Sequence, residues 1–295
     1  MTQPFHISGH RGARGLWPEN TLEGFAATFA LGVASVELDV ALTADGIPVV
    51  VHDPALHGDI VRGPDGRWLE GPGPLVLHLK RAALHRYDVG RLRPGSAYGA
   101  PYAATQAPRD GARIPALADV LALARPAGVV VDIEIKTMPD RSELTAAPER
   151  MVDAVLDVVA ALGMQRQVAL RSFDWRALAH AARVAPAIPR GYITSADTEA
   201  RAALWWAGAD PAAHGGSVPA TIAALSPAPG TLWAPGFRTL TAAQVAEAAA
   251  LGLRVMPWTV NQPADMARLI GMGVREICTD YPDRLRAVLA AQPPE

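Results

Sequence analysis

The sequence predicts an α/β protein with the architecture of a TIM (β/α)8 barrel, in which eight parallel strands alternate with helices. Three observations support this prediction. The chain has 295 residues, which is an ordinary length for one such barrel. Short β-branched runs alternate with longer alanine-rich stretches that have helical periodicity. There are eight of these strand-like runs, the number that a barrel of this kind requires.

The predicted strands share a short length and an enrichment in apolar and β-branched residues. In chain order they are 5–9, 35–41, 129–136, 167–171, 188–193, 231–234, 253–260 and 275–279. Alanine-rich helical patterns separate several of them, for example over 241–251. Strands that alternate with helices in this way favour a parallel sheet over a sandwich or an antiparallel barrel.

Two segments interrupt the alternation. Asp45-Gly46 stands before an apolar run, which predicts a hairpin that adds an antiparallel strand after the second strand. Residues 54–113 are rich in Gly, Pro and Arg and lack sustained periodicity, which favours an irregular insertion. We therefore predict one domain over 1–295, with 54–113 as a cap over the C-terminal mouth of the barrel. A loop without function is the alternative for this segment.

Composition and charge narrow the function classes. The net charge of −2 provides no large attraction to a polyanion, so no nucleic-acid partner is expected. The N-terminal sequence lacks the pattern of a signal peptide, and no apolar run has the length of a membrane span. Cys278 is the only cysteine, which excludes an internal disulfide and favours a buried thiol. We expect a cytoplasmic protein and leave open whether it is a monomer or a homodimer.

Carboxylates on the second predicted strand are the first candidates for a functional site. Strand alternation places Glu37 and Asp39 on one face, opposite their apolar neighbours. In a parallel barrel that face is the lumen, because helices cover the outer face. Two like charges in a buried lumen require neutralisation, and a hard divalent cation with oxygen ligands provides it. A solvated face of an edge strand is the alternative.

The same pattern recurs on the strand predicted over 129–136. Alternation directs Asp132, Glu134 and Lys136 to the lumen, with Glu134 and Lys136 near the C-terminal end, where such barrels build their active sites. We expect Asp132 to be deeper and structural. Lys136 can serve as a counter-charge for the carboxylates or contact a phosphate oxygen.

Histidines follow the first strand and the hairpin. His10 and Arg11 come directly after the first strand, and His52 ends the hairpin, so all three can converge on the same mouth. An isolated histidine is more often structural, but two beside a carboxylate cluster suit proton transfer near neutral pH. Arg11 offers a bidentate donor for phosphate. Glu19 could be a fourth acidic group near the metal.

These residues and their order resemble the glycerophosphodiester phosphodiesterase family. The resemblance starts at His10-Arg11-Gly12 and continues through Pro18-Glu19-Asn20-Thr21, Glu37-Leu38-Asp39 and His52-Asp53, an ordered pattern more specific than any of its pieces. Later matches are Glu134-Ile135-Lys136, Ser172-Phe173-Asp174, Trp258-Thr259-Val260-Asn261 and Thr279-Asp280-Tyr281-Pro282. The resemblance thus spans essentially the whole chain.

The resemblance implies a TIM barrel that binds one Ca²⁺ or Mg²⁺ through Glu37, Asp39 and Glu134. It also implies that His10 and His52 form an acid–base pair and that Arg11 and Lys136 hold phosphate. Trp258 is then expected to line the glycerol side of the pocket, unless it is only a core aromatic. The implied reaction releases glycerol 3-phosphate and an alcohol from a glycerophosphodiester, through a cyclic phosphate.

Two other functions remain open. A related lysophospholipase D activity on lysolipids keeps the fold and the metal, and an exposed apolar rim from Trp68, Leu75, Val76, Leu77 and Leu79 would favour it. We expect these side chains to pack beneath the insertion instead, since no basic amphipathic segment accompanies them. A non-catalytic binding barrel is disfavoured, because none of the expected histidines and carboxylates is missing.

Overall fold

Eight parallel strands surround a common lumen in this computed structural model, which describes residues 5–228 and 230–292. The two outermost residues of the predicted domain, 1 and 295, lie outside the described residues. A ninth strand, β3, is antiparallel and belongs to the predicted hairpin. The strands are β1 His6–Gly9, β2 Ser35–Leu42, β3 Pro48–Val50, β4 Val130–Ile135, β5 Val168–Ser172, β6 Arg190–Thr194, β7 Leu232–Pro235, β8 Arg254–Val255 and β9 Glu276–Thr279.

The sheet order is β8-β7-β6-β5-β4-β2-β1-β9, with β3 paired to β2. Backbone bonds close the sheet between its two ends. The amide of Val260 donates to the carbonyl of Cys278 at 3.0 Å, and the amide of Cys278 donates to the carbonyl of Pro257 at 3.1 Å. The predicted TIM barrel is therefore confirmed, and the parallel strands direct all their C-terminal ends to one mouth.

Helices cover the outside of the barrel. Several begin at a side-chain cap, as α9 does where Thr241 accepts from the amide of Gln244. Short 3₁₀ helices span Val76–His78, Ser142–Leu144 and Pro211–His214. The α-helices are α1 Leu22–Ala30, α2 Arg81–Leu84, α3 Leu117–Ala127, α4 Pro148–Ala161, α5 Trp175–Val184, α6 Ala196–Ala200, α7 Ala202–Trp205, α8 Val218–Leu225, α9 Ala242–Ala250, α10 Pro263–Gly271 and α11 Pro282–Ala290.

Strand β8 is much shorter than the predicted run 253–260. Two residues, Arg254 and Val255, form the strand, although the amides of Met256 and Trp258 still donate to carbonyls of the β7 segment at 3.0 and 3.1 Å. Pro257 has no amide hydrogen and cannot continue the ladder. The prediction was wrong in length because it followed apolar composition across a proline.

Alternation along the strands separates two apolar layers. Val36, Leu38 and Val40 of β2 belong to the large cluster between barrel and helices, where each is fully buried. A small second cluster contains Ile193, Leu232, Ala234, Met256 and Cys278. The thiol of Cys278 is buried, as predicted. The inward positions of β2 and β4 include Glu37, Asp39, Asp132 and Glu134, so the lumen is polar on that side.

Residues 54–113 have little regular structure and pack on an apolar cluster of their own. Leu56, Val61, Val76 and Leu84 form its buried part together with residues of the hairpin. Of the five side chains considered as an apolar rim, Val76 is buried and the other four are half-buried. Val76, Leu77 and Leu79 pack against apolar clusters, and none of the five is fully exposed. Among the described residues, no helix combines the length and apolarity needed to span a bilayer.

Candidate functional site at the C-terminal mouth

The charged side chains singled out in the sequence meet at the C-terminal mouth of the barrel. Glu37, Asp39 and Glu134 lie within β2 and β4, and the others follow a strand within a few residues. Residues His10, Arg11, Glu37, His52, Glu134, Lys136 and Trp258 line one cavity of about 60 Å³, which Phe173 also borders. Asp39 lies beneath it and contacts Arg11 and Lys136. Each predicted site residue is thus in this mouth or directly below it.

Three carboxylates form the centre of the site. Parallel pairing of β2 with β4 puts Glu37 beside Asp132 and Asp39 beside Glu134. One oxygen each from Glu37, Asp39 and Glu134 lies within 4.8 Å of the other two. All three residues are buried, the most exposed being Glu134 at 7%. This is the arrangement that strand alternation predicted.

The three carboxylates fit a divalent cation. Oε1 of Glu37 is buried and accepts no hydrogen bond, while the buried Oδ1 of Asp39 and Oε1 of Glu134 share the single ammonium of Lys136. Unsatisfied buried anionic oxygens are costly, and a hard cation such as Ca²⁺ or Mg²⁺ prefers oxygen ligands of this type. The residues present could therefore hold such an ion between β2 and β4.

Two cations partly neutralise this cluster. Nζ of Lys136 lies 2.7 Å from Oε1 of Glu134 and 3.3 Å from Oδ1 of Asp39, and Nε of Arg11 lies 3.3 Å from Oδ2 of Asp39. Burial acts to raise the pKa of Asp39, but Lys136 and Arg11 hold it well below its usual range. Burial, reinforced by Asp39 and Glu134, raises the pKa of Glu37 well above its usual range. The cluster thus favours a further positive charge.

A left-handed turn directs Arg11 into the cluster. Arg11 and Ala13 have φ values of 49° and 61°, a conformation that is uncommon outside glycine. Between them Gly12 has φ 73°, and a Cβ on it would come within 3.0 Å of the Phe25 ring. This turn lets the amide of Arg11 donate to Oε2 of Glu37 at 3.1 Å. Backbone and side chain of Arg11 therefore contact different carboxylates.

His10 is held by a buried carboxylate. Its Nδ1 donates to Oδ1 of Asp280 at 2.6 Å, while its Nε2 is 3.8 Å from Oε2 of Glu37. Burial lowers the pKa of His10 to about 4 even though Asp280 opposes the shift. Burial alone would raise the pKa of Asp280, but His10 and Arg14 hold it far below its usual range. Since ionised Asp280 can only accept, the proton is on Nδ1 and the lone pair of Nε2 faces the site.

His52 has a similar partner. Its Nδ1 donates to Oδ1 of Asp53 at 2.7 Å. Burial acts to raise the pKa of Asp53, but the hydrogen bond and charge of His52 lower it overall. The side chain of His52 is 29% exposed, against 9% for His10. The two imidazoles thus share an orienting carboxylate but differ in access to solvent.

Glu19, considered as a fourth acidic group near the metal, instead supports Arg11. Nη1 of Arg11 donates to its Oε1 at 3.0 Å, and the hydroxyl of Tyr98 donates to its Oε2. The same hydroxyl accepts from Nη1 of Arg14 at 2.9 Å. Residues 54–113 therefore reach the arginines beside the site through Tyr98.

Sequence reasoning missed the roles of several supporting residues. Asp280 directly follows β9, as His10 follows β1, so its position after a strand was a usable signal. Asn20 has φ 55° and donates from Nδ2 to Oδ2 of Asp39 at 3.0 Å. Tyr98 gave no signal, because its segment lacks periodicity. As expected, Asp132 lies deeper and pairs with Nη2 of Arg171 at 2.5 Å.

Comparison with known proteins shows similarity over nearly the full length. The model of the "Glycerophosphoryl diester phosphodiesterase family" matches residues 10–284. The chain is 32% identical to YqiK, an uncharacterised protein of Bacillus subtilis, over 96% of this chain and 98% of that protein. It is 27% identical to a glycerophosphodiester phosphodiesterase of Caldanaerobacter subterraneus, over 95% of each chain.

Comparison with solved structures also shows similarity over nearly the full length. A protein of Silicibacter pomeroyi assigned to the glycerophosphoryl diester phosphodiesterases has a TM-score of 0.88 and 37% identity, covering 98% of this chain and 94% of its own. A phosphodiesterase of Oleispira antarctica, solved with its product sn-glycerol-3-phosphate, has a TM-score of 0.72 and 24% identity, covering 97% of each chain. Since the family model covers His10 through Arg284, this chain belongs to the glycerophosphoryl diester phosphodiesterase family of enzymes.

Proposed function

We propose that this protein hydrolyses glycerophosphodiesters to glycerol 3-phosphate and an alcohol, with a divalent cation and two histidines. One observation supports this most strongly. Three buried carboxylates that outnumber their two contacting cations lie at the barrel mouth beside two histidines, and each histidine is oriented by a separate carboxylate. The relatives with this activity by name, from Caldanaerobacter subterraneus and others, support the same reaction.

Glu37, Asp39 and Glu134 would hold the cation. When bound, a divalent ion supplies electrostatic stabilisation for charge that builds on phosphoryl oxygens. Ca²⁺ and Mg²⁺ both suit a set of carboxylate oxygens. Nη1 of Arg11 is turned toward Glu19 and Tyr98, while Lys136 keeps its side chain 20% exposed at the edge of the cluster. We assign both cations to phosphate binding, because they lie beside the carboxylates at the open end of the lumen.

His10 would act first as the base. Its Nε2 accepts the proton of the substrate's glycerol 2-hydroxyl as that oxygen attacks phosphorus, and Asp280 stabilises the imidazolium that forms. His52 donates a proton from Nε2 to the oxygen of the other alcohol as its bond to phosphorus breaks. The products of this step are the free alcohol and a five-membered cyclic phosphate on glycerol.

Water would then open the cyclic phosphate. His52, now neutral, accepts a proton from the water that attacks phosphorus, and His10 returns its proton to the glycerol oxygen that leaves. Both histidines are restored, and glycerol 3-phosphate is released. The greater exposure of His52 suits the residue that meets both the leaving alcohol and water. In the Oleispira antarctica phosphodiesterase the bound product is sn-glycerol-3-phosphate.

Trp258 is assigned to the glycerol side of the pocket. Its Nε1 donates to the carbonyl of Ala234 at 2.8 Å, and its ring meets Phe173 edge-on at 5.3 Å between centroids. These contacts fix one wall of the small cavity that His10 also lines. A flat indole wall beside the base suits a small polyol.

We further propose that residues 54–113 act as a cap on the mouth within a single domain. Tyr98 contacts Arg11, Arg14 and Glu19, and the hydroxyl of Tyr102 donates to Oδ2 of Asp280 at 3.2 Å. Hydroxyls from the segment thus hydrogen-bond to groups that orient Arg11 and His10. A loop without function would not be expected to make buried polar contacts with these groups.

The test is release of glycerol 3-phosphate from glycerophosphocholine, glycerophosphoethanolamine and glycerophosphoglycerol, with added Ca²⁺ or Mg²⁺ and with chelator. His10→Ala is the variant of interest, and His214→Asn is a matched control because His214 is exposed and does not line the cavity of the site. We expect release that requires metal and His10 and is unchanged in the control.

Other outcomes separate the alternatives. Release of product only from lysolipids would replace the proposed substrate with a lysophospholipase D substrate. No turnover by folded, metal-loaded protein would favour the binding barrel. Full activity in chelator would contradict the assignment of the three carboxylates to a metal.

A further inference from the structure

A second cavity of about 210 Å³ adjoins the proposed catalytic site and has no role in the reaction as described so far. It shares His52, Glu134, Lys136 and Phe173 with the small cavity of about 60 Å³. The two cavities therefore meet at the groups that would hold the phosphate. A group that extends from a phosphate at this point can enter the larger of these two cavities, while a more open cavity of about 800 Å³ on the side of the insertion also borders Arg11 and His52.

The walls of the larger cavity are mainly apolar. Leu42 and Ile135 of the barrel and Met151 of α4 form its buried side, each at 2% exposure or less. Val76 and Leu144 come from two different 3₁₀ helices. An apolar cavity that remains unfilled lowers stability, because its lining atoms lose packing contacts. A large apolar cavity with a few polar groups at one end is instead typical of a ligand site.

The polar groups at its inner end are already engaged. Asp53 accepts from His52, and Glu134 is 2.7 Å from the ammonium of Lys136. Asp53 is thus committed to His52, and Glu134 to Lys136 and the proposed metal, so neither carboxylate is left to neutralise a cationic guest. An uncharged apolar group suits the cavity better than a choline or ethanolamine ammonium.

The histidines distinguish the two cavities. His10 and Trp258 line only the smaller one, whereas His52 lines both. In the proposed reaction His10 deprotonates the glycerol hydroxyl, and His52 protonates the leaving oxygen. The glycerol then belongs to the small cavity beside His10, and the leaving alcohol extends past His52.

From this arrangement we propose that the 210 Å³ cavity is the subsite of the leaving alcohol and that it selects alcohols with an apolar body. This inference rests on the proposed function. A cavity of about 150 Å³ holds benzene in another protein, so this one admits a short alkyl or aryl group. The phosphorus–oxygen bond breaks, His52 supplies the proton, and the neutral alcohol is left within apolar walls.

The test is a homologous series of glycerophospho-n-alkanols with ethyl, butyl and hexyl groups. These alcohols have nearly equal acidity, so differences in kcat/KM report burial of the chain rather than leaving-group chemistry. We expect kcat/KM to rise by about fourfold for each methylene that enters the cavity, which corresponds to about 0.8 kcal/mol per buried methylene. Glycerophosphocholine should fall below the hexyl diester.

Variants that fill the cavity provide the structural control. Ala146→Phe places a ring in the wall, and Leu144→Trp does so from a half-buried position that should tolerate enlargement. Either should abolish the preference for hexyl over ethyl, while the ethyl diester is still hydrolysed. Leu251→Trp, at an exposed site elsewhere, should keep the wild-type preference.

The outcomes separate this inference from the proposed function. Turnover of all three diesters at equal kcat/KM would overturn the subsite and leave the reaction intact. A chain-length preference that persists in both filled variants would also overturn it. If neither the alkyl diesters nor glycerophosphocholine is hydrolysed, both proposals fail, whereas hydrolysis of glycerophosphocholine alone overturns only the subsite. A second readout is independent of turnover: calorimetric titration with hexyl phosphate should give tighter binding than ethyl phosphate in wild type, and equal binding in Ala146→Phe.

Discussion

The two ends of this barrel's lumen both contain carboxylates and basic side chains, but they differ in the balance of charge. We call the end formed by the C-terminal ends of the strands the mouth and the opposite end the floor. On the floor, Asp132 pairs with Arg171 at 2.5 Å, and Arg254 donates twice to Glu276 at 2.6 Å. There each carboxylate has its own arginine. At the mouth, the three carboxylates Glu37, Asp39 and Glu134 share two cations, Arg11 and Lys136.

This difference in charge balance distinguishes structural from functional charged groups within one lumen. Buried charges that neutralise each other in pairs hold strands together and need no ligand. Buried carboxylates in excess over their cations raise the energy of the empty site, and a ligand of opposite charge lowers it. The positions of the two groups agree with this distinction. In barrels of this type the catalytic residues lie at the C-terminal ends of the strands, whereas the N-terminal ends contribute to stability.

The largest expected effect is at the mouth. His10→Asn removes the imidazole that Asp280 orients and should lower kcat by about 10²–10⁴, the range for loss of a general acid or base. Initial rates with glycerophosphoglycerol at saturating metal measure it. Thermal unfolding should stay within a few degrees of wild type. A variant that keeps wild-type kcat would remove His10 from the reaction.

On the floor, the expected effect is on stability. Asp132→Ala leaves the guanidinium of Arg171, a residue only 2% exposed, without its partner and should lower the free energy of unfolding by about 3–5 kcal/mol. Urea denaturation measures the change. Asp265→Ala, which breaks a half-exposed pair with Arg268, should cost about 1 kcal/mol or less. Equal losses in the two variants would contradict the structural role of the Asp132 pair.

Glu37→Gln tests the excess of carboxylates directly. The amide keeps the shape of the side chain and removes one negative charge from a cluster that has more carboxylates than contacting cations. Metal affinity should fall by about 100-fold or more, since loss of a ligand should exceed the 10–100-fold typical of its supporting residues. The metal-free variant should be at least as stable as metal-free wild type. Calorimetric titration with Ca²⁺ measures the affinity, and thermal unfolding in chelator measures the stability of the metal-free protein. A metal-free variant less stable than metal-free wild type would contradict the predicted excess of negative charge.

The carboxylate cluster was predictable because it depends only on local rules. Alternation along β2 and β4 sets which side chains enter the lumen, and parallel pairing then places Asp39 beside Glu134. His10 followed from its place directly after a strand. These features need no knowledge of distant contacts.

The partners of these residues were harder to foresee, because they come from far along the chain. Asp280 reaches His10 across 270 positions, and Tyr98 reaches Glu19 across 79. No periodicity marks Tyr98, and its contact depends on the path of an irregular segment. The length of β8 was missed for a different reason, since Pro257 breaks a run whose composition is otherwise strand-like.

The smallest expected effect tests whether the insertion belongs to the mouth. Tyr98→Phe removes the hydroxyl that donates to Glu19 and accepts from Arg11 and Arg14, at 3.3 and 2.9 Å. A hydrogen bond to a charged group contributes about 1.5–3 kcal/mol. Part of this should appear as poorer positioning of Arg11, which predicts about a tenfold lower kcat/KM. Because Arg11 is assigned to phosphate binding, the loss should fall mainly on KM.

The matched control is Tyr87→Phe, in the same insertion, where the ring packs on the insertion's own apolar cluster. Its kcat/KM should match wild type. If Tyr98→Phe also matches wild type while both variants fold, the insertion does not position Arg11, and the mouth is then built by the barrel strands alone. A tenfold loss confined to Tyr98→Phe would instead make the cap part of the catalytic site, since a purely structural hydroxyl would lower stability without a selective rise in KM.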